Sequence, residues 1–320
     1  MDIIFVRTKL QALIFLHLLS KNLISKKFIF VRCYQKEIYE DAIELDFFYN
    51  KIEKKAFYTT RLVEKNGLIM CSLQVYLLSI LAVISCSKFF LAGINYYAFS
   101  IAAKFNPLLK IFTFDDGTAN FHKDSLFFRI DRRDDSSFFR RLLNFLFPHG
   151  PAIFIRKKII RHYTIFNNVE NIVPSKKLKH LNIDWKSYLS NEDKLFLKKF
   201  VKSEVSVMIG TVFLEAFNLD FLKKFNIENV QQRFLSKCDF IIVHPRDCSN
   251  FSRLMISRSF HGTAESVIEF LQNQSRVKKI NVYHLVSTVT STIENFSKVK
   301  LYDIFPHSSD VIYSRYYENN

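Results

Sequence analysis

Residues 110–121 read KIFTFDDGTANF, and the fold is decided where this stretch changes character. Ile111, Phe112, Thr113 and Phe114 are a β-rich apolar run. Asp115, Asp116 and Gly117 then arrive together, the pattern of a buried strand ending in a polar turn. In an open α/β sheet the carboxyl ends of the strands face the ligand, so two carboxylates at such a tip can act as a base, bind a hydroxyl or hold a metal. Asp-Gly also serves as a plain tight turn, so the choice rests on the chain to either side.

Upstream, short apolar runs alternate with helical patterns. Strands are predicted over residues 2–6, 27–33, 56–60 and 88–94. Thr8 caps a first helix in which Leu10, Leu13, Ile14, His17 and Leu18 share a face, and further helices cover 41–54, 68–85 and 96–105. Downstream the alternation weakens through 121–202, where RIDRRDDSSFFRR (129–141) and RKKIIR (156–161) are broken by Pro148, Gly150 and Pro151. It then resumes, with strands over 204–209, 239–243, 279–286 and 299–304 and helices over 214–224, 264–272 and 288–296. This predicts an α/β protein of two Rossmann-like halves with mostly parallel sheets. The expected division is an N-terminal domain over 1–160, a connection over 161–203 and a C-terminal domain over 204–320.

Composition bounds the partners. With 320 residues and 49% hydrophobic content the chain can fill two cores, and 6 Gly and 6 Pro exclude a repeat array or long linker. The formal charge of +16 invites a polyanion: nucleic acid, anionic lipid or a phosphorylated sugar. Residues 123–204 alone hold 18 Lys or Arg against 9 Asp or Glu, among many aromatics. No nucleic-acid-binding motif accompanies them, so a membrane surface or charged glycolipid is the expected partner, a solvated basic face being the plainer reading.

Cys33, Cys71, Cys86, Cys238 and Cys248 are odd in number and lack metal spacing, so they read as reduced, packed thiols of a cytosolic protein. MDIIFVR starts a strand without a secretory leader. Residues 68–86, LIMCSLQVYLLSILAVISC, are long enough to span a bilayer. Gln74 interrupts them and a strand pattern follows, which favours a helix of the α/β fold.

FDDGTAN, RHYTIFNNVENIVP (161–174), FIIVHPRD (240–247), TAESVIEF (263–270) and VYHLVSTVTST (282–292), in this order, resemble the bacterial lipooligosaccharide sialyltransferase family, glycosyltransferase family 52. The resemblance runs from the first strand to about Leu301. It implies a GT-B arrangement with a crevice between the halves, and an inverting, metal-independent transfer of sialic acid from CMP-N-acetylneuraminate. The acceptor would be a terminal galactose of a bacterial surface glycan, with an α-2,3 linkage. It also implies peripheral residence at the inner face of the inner membrane, a homodimer, no cofactor and no nucleic acid. A family member moving another sugar such as glucose, or a non-catalytic basic protein on membrane or nucleic acid, are the alternatives.

By resemblance, His244 contacts and protonates the leaving phosphate, held at a strand tip by Pro245, with Arg246 adding charge. Ser287 and Thr288 sit where a strand gives way to a helix and hold the same phosphate, besides capping. Glu265, in an ESVI motif, is suited to the nucleoside or to the helix dipole. Gly210 and Thr211 end the first strand of the second half, where a small residue lets the donor approach. Some relatives place an aspartate base in this loop, but this chain reads GTVFLEAF, with Phe213 at that position. Asp116, the second acid of FDDG, is therefore the first candidate base and Glu215 the second, with Asp115 and Gly117 on the acceptor side. No intervening residue separates Asp115 from Asp116 as in a DxD metal site, and Asp131, Asp134 and Asp135 are interleaved with Arg132 and Arg133.

Overall fold

The computed structural model describes residues 1–34, 42–63, 67–117, 120, 121, 123, 125, 127, 128, 138–167, 170–210, 237–244, 257–284, 287 and 289–304. They divide into two units, Met1–Ile183 and Asp184–Asn320.

The first unit runs β1 (Asp2–Val6), α1 (Lys9–Ser20), β2 (Phe28–Tyr34), α2 (Ala42–Glu53), β3 (Tyr58–Val63), α3 (Gly67–Ile84), β4 (Lys88–Leu91), α4 (Tyr97–Phe105) and β5 (Lys110–Phe114). It continues with α5 (Phe138–Leu146), α6 (Pro151–Lys158), β6 (Ile159–Thr164) and β7 (Leu178–His180). All seven strands are parallel, in the order β3-β2-β1-β4-β5-β6-β7. The chain moves outward from β1 to β3, returns across β1 through α3, and moves outward the other way from β4. The switch point therefore lies between β1 and β4, where such sheets bind ligands.

Both faces of the sheet are covered, which is why β1 is buried at every residue. One face packs Ile3, Phe5 and Phe89 against Val75 of α3 and Ala98 and Ala102 of α4. Phe15, Phe28, Phe30 and Tyr49 carry the other in edge and offset ring contacts. Asp2 ties the amino ends together, accepting from Ser25 N at 2.8 Å and Lys88 N at 3.0 Å.

The second unit holds α7 (Asn191–Lys198), β8 (Glu204–Ile209), β9 (Phe240–Ile242), β10 (Ser257–Arg258), α8 (Ala264–Gln272), β11 (Lys279–His284), α9 (Thr290–Ile293) and β12 (Val299–Asp303). Its five strands are also all parallel, in the order β10-β9-β8-β11-β12. The switch point is between β8 and β11. Val267, Ile268 and Leu271 of α8 pack on Val205, Val207, Ile280 and Val282.

The alternation read from the sequence reappears, with both sheets fully parallel. The division into two units falls after Ile183, inside the connection expected over 161–203, and β6 and β7, not expected from the sequence, complete the first sheet. Arg161 in β6 and Lys179 in the edge strand β7 break the apolar pattern, which hid these strands. The helix expected over 214–224 lies outside the described residues. The uncharged 68–86 stretch is α3, a crossover helix whose Cys71, Val75, Ser79 and Ala82 form one buried face.

Candidate active site

The carboxyl edge of the first sheet is built around β5. Asp115 follows its last residue and is fully buried. Its Oδ1 meets His162 Nε2 of β6 at 2.9 Å, and its Oδ2 accepts from Ile165 N at 2.6 Å. The other ring nitrogen of His162 lies 2.8 Å from Thr113 Oγ1 on β5, so the imidazole bridges two strands in a dry setting. Both Asp115 oxygens are occupied and closed to solvent. Asp115, expected on the acceptor side, thus has both carboxylate oxygens engaged by the protein itself. Gly117 is buried too, with φ +85, a left-handed turn that suits glycine.

Asp116 is turned the other way and is partly exposed. Its Oδ1 accepts from Gln11 Nε2, and its backbone N–H donates to Asn120 Oδ1 at 2.7 Å. Gln11 is held by α1 itself: in a capping box with Thr8 its Oε1 accepts from Arg7 N at 2.7 Å and from Thr8 N at 3.3 Å. Burial pushes the Asp116 carboxyl up to about 6 and Asp115 adds to the push, against the pull of Gln11 and the Arg7 cation. A carboxylate poised there can take a proton from a hydroxyl near neutral pH.

A shallow open recess near this turn is lined by Arg7, Gln11, Gly93, Asn95 and Tyr96 among others. These residues follow β1 and β4, at the switch point. A Cβ on Gly93 would stand 3.3 Å from Asp116 Oδ2, so glycine there keeps the carboxylate uncrowded.

In the second unit Gly210, His244 and Ser287 follow β8, β9 and β11, three neighbouring strands of one sheet spaced about 4.8 Å apart. Gly210 N donates to Ile242 O at 2.8 Å, and a Cβ on Gly210 would meet His244 N and Ile242 O at 3.0 Å. Glycine lets the chain leave β8 close to the His244 backbone without crowding. Ser287 Oγ accepts from Val289 N at 3.3 Å, a local turn ahead of α9, whose N-cap is Val289 and carries no side-chain cap, so the capping read from the sequence for Ser287 is not seen. Glu265, in the first turn of α8, is buried and accepts from Thr292 Oγ1 of α9 at 3.1 Å. Burial raises its carboxyl.

Thr211, Glu215, Pro245, Arg246 and Thr288 lie outside the described residues. Cys238, beside the histidine strand, has its thiol pushed up to about 12 by burial and by Asp239, which favours the neutral thiol.

Sequence reasoning did not single out Gln11, Gly93 or His162. A Thr-x-x-Gln capping box for Gln11 and the HYT run for His162 were the signals available. Asp193 was also missed. It is buried in the capping box of α7, accepts from His261 N at 3.1 Å and faces Arg258 at 3.4 Å, pinning the lead-in to α8.

Two all-parallel sheets, each with its polar groups at a switch point, define an α/β protein of GT-B-like fold. The family model of glycosyltransferase family 52 matches residues 29–307. The chain belongs to glycosyltransferase family 52 and is a glycosyltransferase. Among solved structures it resembles UDP-GlcNAc 2-epimerase of Methanocaldococcus jannaschii in complex with UDP-GlcNAc and UDP, with TM-score 0.52 and 10% identity over 100% of this chain and 93% of that one. A further structure of the M. jannaschii enzyme gives TM-score 0.48 and 11% identity over 99% and 92%. At such identities the likeness concerns the fold. No curated protein matches the chain significantly.

Proposed function

We propose that the chain is an inverting, metal-independent sialyltransferase that moves N-acetylneuraminic acid from its CMP donor to a terminal galactose of a bacterial surface glycan, in an α-2,3 linkage. The observation that carries this reading is the convergence of Gly210, His244 and Ser287 at neighbouring strand ends of the second sheet. A CMP donor leaves with a single phosphate. An imidazole that donates a proton and a serine hydroxyl that donates a hydrogen bond stabilise that charge without a divalent ion.

Glu265, locked by Thr292, shapes the wall on which the nucleoside would rest. In the first unit Asp116 takes the proton of the acceptor hydroxyl, and its carboxyl near 6 keeps it ionised above neutrality. Asp115 and His162 hold the turn that presents it. No cofactor enters this scheme.

Transfer of labelled sialic acid from CMP to lactose tests it. Product that depends on His244 and on Asp116 is the expected result. No product from CMP-sialic acid, with turnover of a different sugar nucleotide, would replace the donor and keep the glycosyltransferase.

A further inference from the structure

The first unit carries an apolar face that the fold leaves open. On α3, Ile69, Leu73, Leu77 and Ile84 are 66%, 51%, 57% and 75% exposed, on the side opposite the buried Cys71, Val75 and Ala82. Phe105 at the end of α4 touches Tyr76 of α3 edge to face and is itself 56% exposed. Phe145 of α5 is 80% exposed, and the neighbouring Leu146 O accepts from Lys104 Nζ of α4 at 2.9 Å, so the open side chains continue from α3 over α4 to α5. Apolar patches of this extent on a soluble protein mark a docking surface.

The stretches that carry these helices hold charge of one sign. Residues 67–110 hold three Lys and residues 138–169 hold six Lys or Arg, and neither stretch contains an Asp or Glu. Among them Lys104, Lys110, Arg141 and Lys157 are exposed.

We propose that this face docks the first unit on an anionic lipid bilayer, with α3 lying in the plane of the interface. The complementary charge selects the occupant: lipid phosphates neutralise the Lys and Arg while acyl chains accept the Leu and Ile side chains without shape matching. A second copy of the chain would instead set two cationic faces against each other, which costs energy. Nor does α3 cross the bilayer, because it returns the chain from β3 to β4 within one parallel sheet and keeps its buried face on the core. The proposal is independent of the sugar transferred.

Flotation of the full chain with phosphatidylcholine vesicles, with and without phosphatidylglycerol, tests it. The expected result is binding to the anionic vesicles that weakens with salt. Leu73→Gln/Leu77→Gln should lower it ~10-fold or more, and Arg141→Glu/Lys110→Glu should lower it on the anionic vesicles only. These side chains are exposed, so circular dichroism of the variants should match the parent; Ile69→Gln/Ile84→Gln serves if the first pair misfolds. Equal flotation of parent and apolar variants overturns the proposal. So does a parent that stays in solution with every vesicle, including one that is a dimer which Leu73→Gln/Leu77→Gln splits, since a second copy is then the occupant.

Discussion

The carboxyl edges of the two sheets are assembled from different materials. At the first, charged and amide side chains from α1, β5 and β6 lock one another: Asp115 to His162 and Ile165, Asp116 to Gln11. At the second, the described contacts are backbone approach and hydroxyls, with Gly210 against the His244 backbone, Ser287 bracing a short turn and Thr292 reaching Glu265. A proton acceptor must be desolvated to reach a useful pKa, and desolvation needs a built shell of partners. An edge that receives a ligand anion needs open donors and little bulk. The contrast thus matches a base on one edge and an anion cradle on the other.

The sharpest way to break the contrast is Asp116→Ala, expected to lower kcat/KM by ~10²–10⁴-fold in the sialyl-transfer assay. The same loss from Glu215→Ala with Asp116→Ala active would move the base to the second unit. Asp115→Ala should act on stability instead, costing about 3–5 kcal/mol in urea melts because it strands His162 Nε2 and Ile165 N in a dry site. His244→Ala is expected to lower turnover ~100-fold with the melting curve unchanged; full activity would remove His244 from the chemistry. Gly210→Ala should cost about 1–3 kcal/mol, since the new Cβ meets backbone rather than a side chain that can move.

The smallest effect is the most diagnostic of desolvation. The Asp116 carboxyl stands near 6 in the fold against 3.8 for an unperturbed side chain. Because the folded value is raised, the stability linked to its proton is fully present below about 4 and is lost as pH rises through about 6. Asp116→Asn should therefore be about 1–2 kcal/mol more stable than the parent at pH 8, a gain that vanishes by pH 4. Activity should run the opposite way, rising through pH 6 as the base form appears. An Asp116→Asn protein whose advantage over the parent is no larger at pH 8 than at pH 4 would place the carboxylate in open solvent.

The alternation of apolar runs and helical patterns, the two parallel sheets and the polar turn closing β5 were legible in the sequence by itself, because strand and helix periods are written in windows of about ten residues. So was the glycine after β8, where the chain leaves a strand beside a neighbour. Tertiary structure alone decided which of the two adjacent aspartates is sealed and which is poised. The partners that make the difference, His162 and Gln11, stand 47 and 105 residues away and are delivered by the order of the strands. It also gave β6 and β7 to the first unit, since a strand interrupted by Arg161 or Lys179 is recognised only by the neighbours it pairs with. A side chain's protonation is set by what surrounds it in space, and the crossover topology chooses those surroundings.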